Sequence, residues 1–415
     1  MKVLMFGWEF PPFFAGGVGM VCYELTKEMC KRGDIKLTYV MPSGPKHVDG
    51  SHVRLLIANN LVRDDRITVK RIDSAIGAYM TEQEYIYTIT RLGKKGKTMC
   101  KKDNTLTLYG KNLLEEVYRF AEKAAIIAEE EDFDVIHAHD WTTFPAAIKA
   151  KEKTGRPLVV HVHITEFDKS GGLGANSAIY DIEKAGMMTA DKVIAVSNFT
   201  KQMLIDKYGI PGDKIEVIHN GPIAMNQAIK YRSPIQDNKK IVLCAGRVTL
   251  QKGQEFLVEA ARKVVDHYPD VLFVVAGSGD MLTRIIDKVT DYGLQDHFYI
   301  HGFYSRDEAE KFFSMADLCV MPSVSEPFGV IPLEAMHKGT PVIISKQSGC
   351  SEVIKNALAV DFWDIDEMAN QIVNVLRYSE LRDEMAARGL EEIKTFTWEK
   401  PASRCMDVYK EVTGW

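Results

Sequence analysis

The chain is predicted to be an α/β protein of two Rossmann-like domains, each a parallel sheet with helices on both faces, facing each other across a deep cleft. Three observations predict this. Short runs rich in Val, Ile and Leu alternate with amphipathic stretches of helical length along the whole chain. At 415 residues the chain is too long for one typical core. The rhythm breaks near the middle, between Asn220 and Lys240, where Gly221, Pro222 and Pro234 lie among polar residues and read as a linker.

Taken in order, the strand-like runs of the first half are Lys2 to Phe6, Leu37 to Met41, Val135 to Ala138, Leu158 to His163, Val193 to Val196 and Ile215 to His219. Those of the second half are Ile241 to Ala245, Leu272 to Ala276, Phe298 to His301, Leu318 to Met321 and Val342 to Ser345. The expected division is a first domain over 1–225, a linker over 226–240, a second domain over 241–395 and a final helical segment over 396–415 that carries Trp398 and Tyr409. Periodicity alone does not say on which domain that segment packs. Residues 59–102 fit the alternation poorly and end in a basic run of Arg91, Lys94, Lys95, Lys97, Lys101 and Lys102, so an inserted hairpin or loop is expected there. Such a run reads as a solvated face or, alternatively, as a surface for an extended acceptor or an anionic lipid.

Composition narrows the class. A net charge of −5 with 26% charged and 46% hydrophobic residues describes a soluble globular protein lacking the basic excess of nucleic-acid binders. The seven cysteines are scattered and form no CxxC pair, which argues against a disulfide framework or zinc ribbon and for reduced thiols in a cytoplasm. No apolar stretch is long enough to span a bilayer, and the first residues already alternate as a strand, so an unexported, non-spanning protein is expected.

The motif richest in chemistry is Ser325-Glu326-Pro327-Phe328-Gly329-Val330-Ile331-Pro332-Leu333-Glu334-Ala335-Met336. Two carboxylates flank a glycine turn that opens a helix. The turn offers backbone N–H groups to an anion, and the carboxylates can accept hydrogen bonds from sugar hydroxyls, a set that suits a sugar nucleotide. The bland reading is a turn with one capping and one surface glutamate. Upstream, Arg247 and Lys252 lie on the loop after the run Ile241 to Ala245, where open parallel sheets bind ligands, and two cations there can neutralise a diphosphate leaving group. Gly277-Ser278-Gly279-Asp280 also follows a strand run, so its backbone can line a nucleotide pocket.

At the first strand's end, Ala15-Gly16-Gly17-Val18-Gly19 precedes a helix and reads as a phosphate or substrate loop, although its spacing is not the dinucleotide GxGxxG. His137-Ala138-His139-Asp140-Trp141 and His161-Val162-His163 end two further strands. Histidines two apart on a strand share a face, yet no acidic or cysteine ligand in the sequence completes a metal set, so no metal is expected. The preferred reading has one imidazole and Asp140 holding sugar hydroxyls at the cleft; the bland one has histidines satisfied within a polar sheet end. The triplets Asp132-Phe133-Asp134 and Asp364-Ile365-Asp366 read as a strand approach and a helix N-cap.

Assembled, these residues make the chain resemble the retaining glycosyltransferases of the GT-B fold, in particular family 4 and the glycogen and starch synthases. The resemblance rests on Gly16-Gly17, His139-Asp140-Trp141, His163, Arg247 with Lys252, and Glu326 with Glu334. It implies a nucleotide sugar, UDP- or ADP-glucose, as substrate with no separate cofactor and no metal. Arg247 and Lys252 would hold the diphosphate, Glu334 the ribose, and Glu326 the transferred sugar with the amides near Phe328, Gly329 and Val330. His163 would stand beside the donor sugar, Asp140 would hold that sugar or the acceptor, Gly17 would approach the phosphates from the first domain, and Gly277 would line the donor pocket. The segment containing Trp398 would cross back to the first domain.

Trp8-Glu9-Phe10-Pro11-Pro12 and Phe396-Thr397-Trp398-Glu399-Lys400 resemble short glycogen synthases, although Phe14 stands where those enzymes usually carry a lysine. The implied activity is retaining, metal-independent transfer of a hexosyl group, glucose, from a nucleotide diphosphate sugar to a saccharide acceptor by a glycogen or α-1,4-glucan synthase; the alternatives are a family 4 enzyme with a lipid, sugar-phosphate or cell-envelope acceptor, a sugar-nucleotide 2-epimerase, and a non-catalytic glucan-binding protein.

Overall fold

The computed structural model describes residues 1–11, 17–44, 52–61, 113–172, 174–223 and 231–415. Its strands form two sheets. The first contains β1 (Lys2–Phe6), β2 (Lys36–Met41), β3 (Arg54–Ile57), β4 (Val135–His139), β5 (Leu158–Val162), β6 (Lys192–Ala195) and β7 (Ile215–Val217), in the order β3-β2-β1-β4-β5-β6-β7. The second contains β8 (Lys240–Ala245), β9 (Val271–Ala276), β10 (Phe298–Gly302), β11 (Leu318–Met321), β12 (Val342–Ser345) and β13 (Leu358–Val360), in the order β10-β9-β8-β11-β12-β13. Neighbouring strands pair in parallel throughout both sheets.

Strands covered on both faces must be apolar at nearly every position, and β4 and β5 are buried at all five residues each. Alternation then divides their side chains. Leu4, Phe6, Ile136 and Ala138 join the core under the helices Leu113–Glu130, Phe144–Thr154, Ser177–Thr189 and Asn198–Tyr208, while Val3, Met5, Val135 and Val159 face the helices Gly17–Lys31 and Glu399–Thr413. Two strands escaped the sequence reading. β3 and β13 are short edges with partly exposed patterns, so the sheet edge rather than a long apolar run defines them.

The final segment docks on the first domain. Cys405, Met406, Val408 and Tyr409 of Glu399–Thr413 are buried in the same cluster as Val21 and Leu25, and the Trp398 indole N–H donates to the Pro222 carbonyl at 2.8 Å. The chain therefore leaves the second sheet's helices after Ile393 and ends on the first sheet. Of the expected linker, residues 231–240 include a capped turn at Pro234–Asp237, and 224–230 lie outside the described residues. The expected insert, from residue 62 onward and with its whole basic run, also lies outside them. The six described cysteines are free thiols. Both acidic triplets are structural: the Asp134 carboxylate accepts from the Lys2 amide at 2.7 Å, and Asp364 caps the helix Ile365–Arg377 through the Glu367 amide at 3.0 Å.

The two domains touch along a polar seam. Glu352 of the second domain accepts from the amides of Asn198 and Phe199, at 2.9 and 2.7 Å, and so caps a first-domain helix from outside; His219 Nε2 lies 2.9 Å away. Beside it the Ser197 hydroxyl donates to the Pro327 carbonyl at 2.5 Å. Burial pushes the Glu352 carboxyl up, but the hydrogen bonds from His219, Asn198 and Phe199 outweigh it and hold the pKa down at about 2. A depressed carboxylate stabilises the fold fully above its ordinary value of 4.5 and loses that contribution as pH falls towards 2. Glu352→Gln is therefore expected to flatten the fall in urea midpoint between about pH 6 and about pH 3 relative to the parent chain. An unchanged slope would remove Glu352 from the acid sensitivity.

Candidate active site

In each sheet the strand order reverses beside the first strand, between β1 and β4 and between β8 and β11. Connections diverge to opposite faces there and leave a crevice at the strands' C-terminal ends. The motif residues lie at these crevices, and the loops beyond them meet: Ser325 Oγ donates to Asp168 Oδ1 at 2.6 Å, and Gly171 approaches the Leu250 and Val324 side chains.

The second-domain wall is built by close backbone approach. The loop after β8 pairs with the loop after β9 through Gly246 N to Ala276 O at 2.9 Å and Val248 N to Ser278 O at 2.9 Å. Gly277, at φ 153°, is tied to this packing, since a Cβ there would stand 1.8 Å from the Gly246 carbonyl oxygen. Its glycine identity thus has a structural cause beyond any donor contact. Gly253, at φ 66°, similarly brings the β8 loop against Pro322. That approach sets Lys252 beside Glu326.

Lys252 Nζ and Glu326 Oε2 are 2.5 Å apart, with side chains 15% and 8% exposed, and the Ser323 hydroxyl also reaches Glu326 Oε2 at 3.2 Å. The Glu326 backbone is pinned on both sides, its amide donating to Gln347 O and its carbonyl accepting from Gly349 N, each at 2.9 Å. After it come buried Phe328, Gly329 at φ 92°, and Val330, which leads into the helix Ile331–His337. Glu334 sits in the first turn of that helix, buried, with its Oε1 paired to the Arg306 guanidinium. Burial pushes the Glu334 carboxyl up and Arg306 pulls it back towards the ionised form. Sequence reasoning missed Arg306, although the available signal was the one used for Arg247: a cation shortly after a strand's C-terminal end, here β10.

The first-domain wall differs from expectation in how it works. Asp140 is the sole described non-glycine residue with positive φ, at 57°, a conformation that aspartate tolerates better than most. Its Oδ1 accepts from the His163 amide at 2.7 Å, tying the end of β4 to the loop after β5. Asp140 therefore orients His163 through its backbone, with one carboxylate oxygen committed to that task. His163 is buried, and its Nε2 lies 2.9 Å from His139 Nδ1; burial lowers its pKa against the pull of Asp140, favouring the neutral ring. Gly17 begins the helix Gly17–Lys31 with open space where a Cβ would stand, while Gly16 and Phe14 lie outside the described residues.

The histidine motifs, read separately in the sequence, become one ladder. Parallel register sets His139 beside His161, so His137, His139, His161 and His163 stack on one face, with adjacent ring centroids 4.2 to 5.5 Å apart. Burial pushes all four imidazoles down, His137 to about 3. The expectation that no cysteine accompanies them is corrected here: Cys22 of the helix Gly17–Lys31 comes against His139 and His163. Tertiary packing, not sequence spacing, makes that contact. A second unforeseen group is Lys169, whose side chain is 5% exposed, 3.9 Å from Glu166 and 5.9 Å from the centre of the Trp141 ring. Burial lowers its pKa against the pull of Glu166 and Glu183, with Arg247 adding to the lowering.

Two parallel-sheet domains with charged loops converging at their switch points define the GT-B class of transferase fold. Residues 104–222 match the model of Glycosyltransferase Family 4 and residues 225–392 that of the group 1 glycosyl transferases. An uncharacterized glycosyltransferase of Methanocaldococcus jannaschii is 28% identical, covering 99% of this chain and 98% of its own. Another from Bacillus subtilis is 30% identical over 64% of this chain and 73% of its own. The glycogen synthase of Mycobacterium tuberculosis is 23% identical over 99% and 94%. Among solved structures, sucrose-phosphate synthase of Thermosynechococcus elongatus superposes with a TM-score of 0.74 at 21% identity, over 100% and 99% of the two chains. The chain belongs to the family 4, glycogen-synthase-like glycosyltransferases and is a transferase of sugars.

Proposed function

We propose that this glycosyltransferase moves glucose, with retained anomeric configuration, from UDP- or ADP-glucose to the end of an α-1,4-glucan. The observation that carries the reading is the buried Lys252–Glu326 pair at the β8/β11 crevice, with Arg247 on the same loop and Glu334 in the first turn of the helix that follows Glu326. Opposite charges held at such a crevice can be re-partnered by a ligand that carries both phosphate oxygens and hydroxyls. Lys252 turns to the diphosphate, Glu326 to the hydroxyls of the sugar being transferred, and Glu334 to the ribose. The amides near Phe328, Gly329 and Val330 assist, and Gly277 with the first-domain Gly17 closes the phosphate site.

Departure of the nucleoside diphosphate breaks the anomeric C–O bond and leaves negative charge on the β-phosphate, which Arg247 and Lys252 stabilise without a divalent ion on the diphosphate. The acceptor hydroxyl then attacks from the face the diphosphate left, passing its proton to the departing phosphate. His163, held by Asp140, positions the sugar in its neutral form. A double displacement would require a carboxylate beneath the anomeric carbon, a role for which Glu326, paired to Lys252, is poorly suited. Similarity to a glycogen synthase over 99% of the chain supports the glucan acceptor, and the absence of a described helix long and apolar enough to cross a membrane is compatible with it. The reaction belongs in the cytoplasm, where nucleotide sugars are made.

A screen of UDP- and ADP-sugars against maltooligosaccharides, glycogen, sugar phosphates and lipid acceptors, read as nucleoside diphosphate release, tests the proposal. Growth of α-1,4 chains is expected. Release only with a lipid or sugar-phosphate acceptor would replace the glucan reading with another family 4 acceptor, and isomerisation of the donor without any acceptor would point to a 2-epimerase.

A further inference from the structure

The histidine ladder contains more ring nitrogens than the fold satisfies. Alternation along β4 puts His137 and His139 on one face, and register adds His161 from β5 directly beside His139. The three residues are 0%, 2% and 2% exposed, and His137 meets Tyr409 of the helix Glu399–Thr413. A buried neutral imidazole carries one N–H and one lone pair, and both are ordinarily partnered. Here two outer nitrogens are: His137 Nδ1 lies 2.5 Å from the Tyr409 hydroxyl, and His139 Nδ1 lies 2.9 Å from His163 Nε2. Among the described residues, His137 Nε2, His139 Nε2 and both nitrogens of His161 have no hydrogen-bond partner. One ligating atom from each ring falls within 4.8 Å of the others.

We propose that His137, His139 and His161 bind a transition-metal ion of the zinc class. Two histidines at i and i+2 on one strand and a third from its neighbour hold one ring nitrogen each within 4.8 Å of the others, and the stacked rings would turn those nitrogens onto a shared ion that keeps one tetrahedral position for a further ligand. The hydrogen bonds already in place are those that orient metal-bound histidines. With the ion on both Nε2 atoms, His137 donates its Nδ1–H to Tyr409 and His139 donates its Nδ1–H to His163. An all-imidazole set selects zinc-like ions over magnesium or calcium, which prefer oxygen. The second grouping, Cys22 with His139 and His163, shares His139 and would spend a residue assigned to the donor sugar. Bound at the first set, the ion joins β4 to β5 and, through Tyr409, to the C-terminal helix. It is a site apart from the diphosphate, on the opposite domain from Arg247 and Lys252.

The test uses the full chain without a histidine tag, produced in zinc-supplemented medium and analysed for metal after gel filtration. About one zinc per chain is expected, and cobalt substitution should give the visible bands of a four-coordinate ion. His161→Ala and His161→Gln should each lose the metal and the bands while circular dichroism confirms folding. Less than about a tenth of an equivalent in the parent protein, both as purified and after refolding with zinc or cobalt, overturns the proposal, as does equal metal content in a folded His161 variant. Should the His161 variants fail to fold, folded Cys22→Ser is expected to keep its metal, and loss of the metal there would overturn the proposal by assigning the ion to the Cys22 grouping.

Discussion

Lys252→Ala is expected to cut turnover by about 30- to 900-fold, equivalent to roughly 2 to 4 kcal/mol of lost charge stabilisation on the departing diphosphate. Steady-state kinetics with saturating donor would measure it. The same substitution has a second consequence that the sequence did not suggest. Read from the sequence, removal of a loop lysine should hardly touch folding; in the structure Lys252 neutralises Glu326, whose side chain is only 8% exposed. Its loss strands a largely buried carboxylate, at a cost of about 3 kcal/mol if the anion persists. Lys252→Ala combined with Glu326→Gln should therefore regain stability in urea melts without regaining activity. A double variant no more stable than Lys252→Ala would show that the pair is not coupled.

Glu334→Gln should raise the donor KM about 10- to 100-fold with turnover within roughly threefold, because it removes hydrogen bonds made equally in ground and transition states. Glu326→Gln should show the opposite pattern, a fall in turnover with modest change in KM, since its contacts matter where positive charge develops on the sugar. Arg306 sharpens the first expectation. It pairs with Glu334 and offsets part of the rise that burial imposes on that carboxyl, so Arg306→Ala should mimic Glu334→Gln in raising KM. Equal effects of Glu326→Gln and Glu334→Gln on both constants would abolish the division of labour between them.

The two-sheet fold was legible because buried parallel strands require near-continuous apolar runs, and β1, β5, β8, β9 and β11 have them. Edge strands β3 and β13 were not, because half-solvated strands of three or four residues carry no such signature. The site was legible wherever chemistry sits on one loop: Arg247 with Lys252, and Glu326 with Glu334. Contacts that join distant segments were hidden. Nothing local to Lys252 announces Glu326 as its partner, nothing near Asp140 shows that its carboxylate serves the His163 amide, and the union of two histidine motifs depends on strand register. Gly277 shows the converse case, a glycine read for a ligand whose backbone approach to Gly246 already requires it.

We propose that a nucleotide sugar binds between the loop of Arg247 and Lys252 and the segment of Glu326 and Glu334. Calorimetric titration of UDP and of ADP into the parent chain and into Arg247→Ala/Lys252→Ala tests it most directly. Binding of one of the two nucleotides at a single site, lost in the folded double variant, is the expected result. Equal affinity in both proteins, or no binding of either nucleotide to the parent, would contradict the account.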